Sequence, residues 1–376
     1  MIWFSLPVPV GREHEYVAKA IDGRKLSGVG PFAVGCEQWL EKRLPAPRAL
    51  LTGSCTSGLE LCALLLDIGP GDEVVMPSFT FCTTASAFAL RGATIVFADV
   101  DPQTLCMGER EAAALVGPKT KALVGVHYAG YGGDAPALAR LCEDRGIPFV
   151  EDAAQAIGAT WQGRSLGTFG RLASISFHDT KNVTGGEAGA LVINDPALVE
   201  RAEILRDKGT DRARFFRGFV DKYTWQDLGS SYVPSELCAA YLLAQLEQVD
   251  RVNARRRAIA LAYHDALAPL APKAGATVPS RPYLEAANGH LFWLLLRDPQ
   301  AQHAFIAHLH ARDIAAVHHY VPLHSAPAGQ RFGAVRGSME VTERTWNRLV
   351  RLPLHMALTD ADVGRVIDAA REFLER

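Results

Sequence analysis

The chain is expected to fold as an α/β protein with a mainly parallel sheet, helices on both its faces, and a second, smaller α+β domain. Three observations predict this. Short apolar stretches recur at residues 49–52, 73–77, 93–100, 122–127, 148–152, 172–177 and 190–193. Helical segments at 59–66, 82–91, 109–116 and 135–146 alternate with the earlier ones, the rhythm of parallel strands joined by crossover helices. Second, 376 residues with 48% apolar side chains suffice for a large core and two domains. Third, the character of the chain changes after Ile193, where helices come to dominate. Residues 1–245 are read as the large domain with an N-terminal arm, and 246–376 as the small C-terminal domain.

Taken in order, residues 1–10 are apolar and proline-spaced, as suits an extended arm laid over a neighbouring surface. Residues 26–31 form a Gly/Pro loop, and helical spacing returns over 32–44. The strand at 49–52 breaks into Gly53-Ser54-Cys55-Thr56-Ser57-Gly58, a small-residue turn that opens a helix. Free N–H groups and hydroxyls at such a turn favour a phosphate, although an ordinary capped helix has the same look. Phe81 follows the next strand and could stack on a flat ligand or join the core. After a charged helix at 196–208, residues 210–234 form a long loop rich in Arg, aromatics and Gly, too aromatic for disorder. Residues 235–270 read as helical. Beyond them come a strand at 290–296, a helix at 301–312, and closing helices at 341–350 and 360–375.

The stretch 174–194 is the chemical centre. A buried strand ends in His178-Asp179-Thr180-Lys181, and Gly185, Gly186 and Gly189 let the backbone approach whatever the lysine holds. A lysine on a turn between two core strands must be solvated, paired or chemically used. Upstream, Asp152 ends another apolar strand, in Glu151-Asp152-Ala153-Ala154-Gln155. A strand-end carboxylate plus a strand-turn amine is what a pyridoxal phosphate enzyme needs, one for the pyridinium nitrogen and one to hold the cofactor covalently. In parallel sheets ligands sit beyond the carboxyl ends of the strands. The Thr56 turn, Phe81, Asp152, Ser176 and Lys181 all fall at such ends, so one crevice could collect them.

Composition narrows the alternatives. A formal net charge of −2 predicts no broad basic face, so nucleic acid is an unpromising partner. Seven scattered cysteines without a Cys-x-x-Cys pair fit a reducing compartment and support neither a zinc site nor a disulfide frame. With no signal-like start and no apolar run of spanning length, the expectation is a cytoplasmic protein without membrane partners. The three histidines of His318-His319-Tyr320-Val321-Pro322-Leu323-His324 lack an accompanying acid and are read as a substrate-facing loop, with no metal.

Several motifs together resemble one family. They are Gly53-x-x-Thr56-Ser57, Pro77-Ser78-Phe79-Thr80-Phe81, Glu151-Asp152-Ala153-Ala154-Gln155, Ser176-Phe177-His178-x-x-Lys181 and Tyr320-x-Pro322-Leu323-His324. In this order, over nearly the whole chain, they resemble the sugar-nucleotide aminotransferases of the DegT/DnrJ/EryC1/StrS family. The resemblance implies aspartate-aminotransferase-like fold type I architecture, with a mainly parallel seven-stranded sheet in the large domain. The segments Lys208-Gly209-Thr210, Phe215-Phe216-Arg217-Gly218, Asp221-Lys222-Tyr223-Thr224-Trp225 and Leu228-Gly229-Ser230-Ser231-Tyr232 resemble one branch more closely. That branch makes dTDP-4-amino-4,6-dideoxygalactose for enterobacterial common antigen, from L-glutamate and dTDP-4-keto-6-deoxyglucose.

By resemblance, Lys181 carries the cofactor and shuttles the proton, Asp152 keeps the pyridine nitrogen protonated, and His178 supports the site. Thr56, Ser57 and Ser176 bind the phosphate, Phe81 stacks on the ring, and Gln155 lies beside it. Pyridoxamine phosphate is the implied intermediate form. Many relatives reach the phosphate with an Asn of the partner subunit in a Gly-Tyr-Asn-Tyr context, where this chain has Ser231. A homodimer with sites at the subunit interface is implied. His319, Tyr320, His324, Arg217 and Lys222 are candidates for contact with the sugar or its diphosphate. Two other readings stay in view. A sugar dehydratase of this family replaces the lysine with histidine, which Lys181 opposes, and a cofactor-binding regulator usually carries a DNA-binding module, of which the sequence shows no sign. The galacto product is favoured over its gluco epimer.

Overall fold

The computed structural model describes residues 1–376. In chain order its strands are β1 (Arg48–Thr52), β2 (Glu73–Pro77), β3 (Thr94–Ala98), β4 (Thr120–Val126), β5 (Phe149–Asp152), β6 (Thr160–Trp161) and β7 (Arg164–Ser165). Then follow β8 (Leu172–Ser176), β9 (Gly189–Ile193), β10 (Phe292–Leu295), β11 (Gly333–Val335) and β12 (Leu349–Leu352). Eight of them form one sheet in the order β1-β9-β8-β5-β4-β2-β3-β11. All neighbouring pairs from β8 to β11 are parallel, and β9 alone runs against its neighbours. β2, β8 and β9 are buried at every residue, as expected of strands with helices on both faces. This is the fold type I aminotransferase architecture.

The seven strands legible in the sequence are present, but the sheet has eight rather than seven. The extra strand, β11, comes from the C-terminal part of the chain and pairs with β3 through Gly333, Ala334 and Val335. Three residues without alternation carry no strand signal of their own. The expected helix over 341–350 is also corrected: it is Glu340–Trp346, after which Leu349–Leu352 pairs antiparallel with β10. Tertiary pairing there overrides a helix-like local pattern. A helix at Glu13–Asp22, missed in the sequence, sets Tyr16 and Ala20 on Ala240 and Ala244 of the helix Glu236–Leu246. The arm is extended as expected, and Ile2 bridges Ile314.

Most of the C-terminal core comes from the helices Val249–Leu267, Pro299–His310 and Asp360–Leu374 and from β10 and β12. Phe79 and Tyr128, from the ends of β2 and β4, are packed into that same core. The seam between the two cores therefore lies at the carboxyl edge of the parallel strands.

Two glycines set how closely the turn at 53–58 approaches the sheet. A Cβ on Gly58 would overlap the Ser174 hydroxyl of β8, and one on Gly189 would overlap the Ser54 carbonyl carbon and the Cys55 nitrogen. Gly189→Ala is therefore expected to destabilise the protein by ~2–3 kcal/mol, the upper range for overpacking. Urea unfolding checks this, and an unchanged midpoint would show that the turn yields freely.

Candidate active site

A cavity of about 750 Å³ opens at the carboxyl ends of the parallel strands and is lined by both lobes and by Phe4 and Ser5 of the arm. Each wall follows from the local sequence. β5 ends at Asp152, which is 5% exposed. Its Oδ2 accepts from the Thr84 hydroxyl at 2.7 Å and its Oδ1 from the Ala154 N–H at 3.1 Å. The charge is thus buried, aimed and oriented by the strand end and by a neighbouring helix.

β8 ends at Ser176, and the turn beyond it carries Lys181 into the same cavity. Lys181 N–H donates to the His178 carbonyl at 3.0 Å, which closes the turn. Burial pushes the Lys181 amine below the ordinary lysine range, and the Arg351 guanidinium adds to that depression. Its neighbour Asn182 points the other way. Asn182 Oδ1 meets His290 Nδ1 at 2.9 Å, and its Nδ2 donates to Asn253 Oδ1 at 2.7 Å. The turn is anchored in this way to the C-terminal lobe. His178 stands at the rim, 43% exposed, beside the Thr180 hydroxyl at 3.0 Å and Asp179 at 2.9 Å.

Opposite these groups lies the N-terminus of the helix Cys55–Leu65, capped by Ser54, whose Oγ accepts from Ser57 N–H at 3.0 Å. Ser54, Cys55 and Thr56 line the cavity. The first amides of a helix have no acceptor within it, so this wall presents donors and a partial positive charge. Ser57 lies one step further in, its hydroxyl 3.0 Å from that of Ser54, and does not reach the lining. Phe81, which precedes the helix Cys82–Ala89, lines the cavity and is 56% exposed.

The C-terminal lobe supplies His319 and Tyr320, stacked at 3.7 Å. Gln155 bridges the lobes, its Nε2 donating to the Tyr320 hydroxyl at 3.0 Å while its Oε1 accepts from Ala129 N–H at 2.7 Å. Burial holds His319 well below the usual imidazole range, so the ring is neutral.

Of the residues singled out from the sequence, Thr56, Phe81, Asp152, Gln155, Ser176, His178, Lys181, His319 and Tyr320 meet here. Five do not line it: Ser57, one step behind the helix N-terminus, and His324, Arg217, Lys222 and Ser231. His324 Nδ1 bonds the buried Ser78 hydroxyl at 2.7 Å and its Nε2 faces Glu343 at 3.0 Å, so it ties the 323–325 turn to the end of β2. Arg217 pairs with Glu203 and Lys222 is exposed, both outside the cavity of their own chain. Ser231 is exposed and forms a bridge with Asp207. The sequence reading missed Thr84, Arg256, His290 and Arg351. Thr84 had one legible sign, since it lies four residues after Thr80 in a Thr-rich helix start and their hydroxyls meet at 2.8 Å.

The donor set suits pyridoxal phosphate. It offers a turn-borne amine, a buried carboxylate fixed by a hydroxyl donor, an open aromatic face, and a helix N-terminus flanked by the hydroxyls of Ser54, Thr56 and Ser176. Fold and site together define a pyridoxal-phosphate-dependent aminotransferase. The chain belongs to the DegT/DnrJ/EryC1/StrS aminotransferase family, whose profile matches residues 10–371. It is 31% identical over 371 residues to GDP-perosamine synthase of Caulobacter vibrioides, covering 97% of this chain and 96% of that one. The aminotransferase TlmJ from Streptoalloteichus hindustanus superposes with a TM-score of 0.91 at 34% identity, over 100% of this chain and 99% of the other. DesV from S. venezuelae gives a TM-score of 0.87 at 31% identity, over 97% and 95%. No helix is long and apolar enough to cross a membrane.

Proposed function

We propose that the chain transfers the amino group of L-glutamate to C4 of dTDP-4-keto-6-deoxy-D-glucose, giving dTDP-4-amino-4,6-dideoxy-D-galactose for cell-surface polysaccharide synthesis. The observation that carries the chemistry is the convergence of Lys181 and the Thr84-held Asp152 on one cavity. Bound there, pyridoxal phosphate would supply the electron sink for ionising a C–H bond beside an amine and would store the amino group between half-reactions.

The chain's own residues supply the rest. Asp152 places a buried negative charge where the pyridine nitrogen must stay protonated. The Lys181 amine, depressed by burial, is neutral at lower pH than an exposed lysine and takes the proton from the donor carbon. It would pass that proton to the bound cofactor, and in the second half-reaction move a proton from the cofactor to the sugar carbon. The N-terminus of the helix Cys55–Leu65, with Thr56 and Ser176, holds the phosphate. Phe81 covers one face of the ring, Gln155 positions Tyr320 beside it, and His178 orients the turn from the rim. His319 and Tyr320 face the sugar, and Tyr320, His319 and Phe4 narrow the water-accessible space.

The choice of sugar rests on the 208–232 segment and its resemblance to the dTDP-sugar branch. A second reading, a GDP-linked keto-sugar, is favoured by the likeness to GDP-perosamine synthase. The exposed aromatics of that same segment, Phe216, Phe219, Tyr223 and Trp225, support a homodimer in which the segment covers a partner.

The test is incubation with pyridoxal phosphate, L-glutamate and either dTDP- or GDP-4-keto-6-deoxy sugar, followed by mass spectrometry and proton NMR. An amino sugar from the dTDP substrate alone is expected, with a small H3–H4 coupling for the axial amine. Amination of the GDP sugar alone would replace the substrate, and a large coupling would replace the epimer.

A further inference from the structure

The turn that carries Lys181 is tied to the C-terminal lobe by a buried chain of amides, and that chain dictates where one proton sits. A carbonyl oxygen only accepts, so each amide along the chain has one possible orientation. Asn253 Nδ2 donates to the Ile157 carbonyl at 2.9 Å, which turns its Oδ1 toward Asn182. Asn182 Nδ2 donates to that oxygen at 2.7 Å and to the Asn288 carbonyl at 3.1 Å. Asn182 Oδ1 is left as an acceptor. The group facing it at 2.9 Å is His290 Nδ1, which must therefore carry the hydrogen. The His290 backbone is fixed as well, its N–H donating to Asn288 Oδ1 at 3.1 Å and its carbonyl accepting from Arg256 at 2.6 Å. The residue is 9% exposed. Burial holds its ring well below the usual imidazole range, and the charges of Lys181, Arg256, Arg351 and His319 push the same way. A neutral ring with its hydrogen on Nδ1 has a bare lone pair on Nε2. That nitrogen has no donor within the chain and keeps access to the cavity that His290 lines.

We infer that His290 is a positioning residue for Lys181, its Nε2 accepting a hydrogen bond from the Lys181 ammonium while the lysine holds a proton in transit. This rests on the aminotransferase reading of the cavity given above. No proton passes to His290; it only accepts the bond. The Lys181 amine is enclosed and has no hydrogen-bond partner in the chain. Once it takes a proton it becomes a buried ammonium, which is costly without an acceptor. The other carboxylate, amide and imidazole acceptors of the cavity are committed or remote. Asp152 is held by Thr84 and Ala154, and Gln155 by Ala129 and Tyr320. His127 faces Glu151 at 2.7 Å, and His319 Nδ1 faces the Tyr128 hydroxyl at 3.2 Å. Glu187 is largely exposed at the rim. Lys181 and His290 also share one framework, because the residue that His290 bonds is the immediate neighbour of Lys181. Amine and acceptor therefore stay in register if the lobes shift. Of the charged groups that bear on His290, Lys181 acts most strongly. An ammonium anchored through one N–H keeps another directed at the carbon that receives the proton.

Two substitutions separate this role from a structural one. His290→Asn keeps an N–H donor where Nδ1 stands, and so the bond to Asn182, but removes Nε2. His290→Gln sets an oxygen where Nε2 stands and gives up the bond to Asn182. Acetic anhydride labelling of Lys181 in the full-length chain, followed against pH by mass spectrometry, reads the titration of the amine. Burial of that amine and the charges of Cys55, Asp152 and Arg351 around it are untouched by either change. Loss of an acceptor disfavours the charged form, so His290→Asn is expected to move the titration to lower pH by at least about one unit. His290→Gln should stay within about half a unit of wild type, yet melt at a lower temperature than His290→Asn. The reverse order, an unchanged titration in His290→Asn, or a shift to higher pH would overturn the assignment; an upward shift would mean that a cation had been removed. In the wild-type chain, ¹⁵N NMR of the assigned His290 ring should show its hydrogen on Nδ1 alone at neutral pH. A hydrogen on Nε2 would overturn the assignment even if neither variant folds. These readouts need neither cofactor nor substrate. If borohydride leaves no cofactor on Lys181, the aminotransferase reading fails separately, while the titration and the tautomer still judge His290.

Discussion

Lys181→Ala is expected to retain bound pyridoxal phosphate and to lose turnover by at least about 10⁴-fold, the upper range for removing a positioned acid–base group. Borohydride treatment followed by mass spectrometry should leave the wild-type chain permanently labelled with cofactor and the variant unlabelled. Retention is expected because the phosphate wall, Phe81 and Asp152 are untouched by the change, and none of them depends on the Lys181 side chain for its position. The apoprotein offers a second reading. Because the folded-state pKa of Lys181 lies below the unfolded value, the unfolded chain binds more protons between the two values. This residue therefore makes wild-type stability rise with pH through that window and adds no pH dependence below both values, where its cost is fully present. The alanine variant should lack that contribution and melt higher than wild type at neutral pH. Undiminished transamination would remove Lys181 from the chemistry altogether.

Much of this site was legible before any coordinate, and the reason is local. Asp152 and Lys181 end or follow short apolar strands, and a parallel sheet brings the carboxyl ends of its strands to one edge. Two residues on neighbouring strand ends therefore need no long-range information to be placed together, and β5 does pair with β8. The phosphate wall was legible for the same reason, since a small-residue turn before a helix carries its own donors. What escaped depends on distant partners. β11 is a strand only because β3 offers an unpaired edge. Arg351 enters the cavity only because Leu349–Leu352 pairs with β10 instead of continuing the helix that ends at Trp346. His324 sits in a histidine-rich motif that points toward substrate in sequence, yet the turn directs it onto Ser78. Adjacent residues on a turn diverge, as Lys181 and Asn182 also show. Ser231, Arg217 and Lys222 have no role within the cavity of their own chain, and the homodimer proposed above is where a role for that segment would lie.

Asp152→Asn changes one oxygen for one amide, and its expected effect comes almost wholly from charge. The side chain keeps its volume, and its remaining oxygen can still accept from Thr84, whose hydroxyl is 2.7 Å from Oδ2. Ala154 N–H, which donates to Oδ1 at 3.1 Å, faces the amide in one of the two orientations and is at most one lost hydrogen bond. Fold and melting temperature should therefore change little. The reaction is affected far more. A buried carboxylate stabilises a proton on the ring nitrogen through a dry charge pair, and breaking such a pair costs ~3–5 kcal/mol. At about 1.4 kcal/mol per tenfold in rate, this corresponds to a loss of roughly 10²–10⁴ in turnover. The loss should appear in both half-reactions, because each needs the same electron sink. Single-turnover absorbance of each half-reaction, variant beside wild type, makes the comparison. If Asp152→Asn runs within tenfold of wild type in both directions, the nitrogen partner is another acid and the orientation of the ring in this cavity must be reassigned.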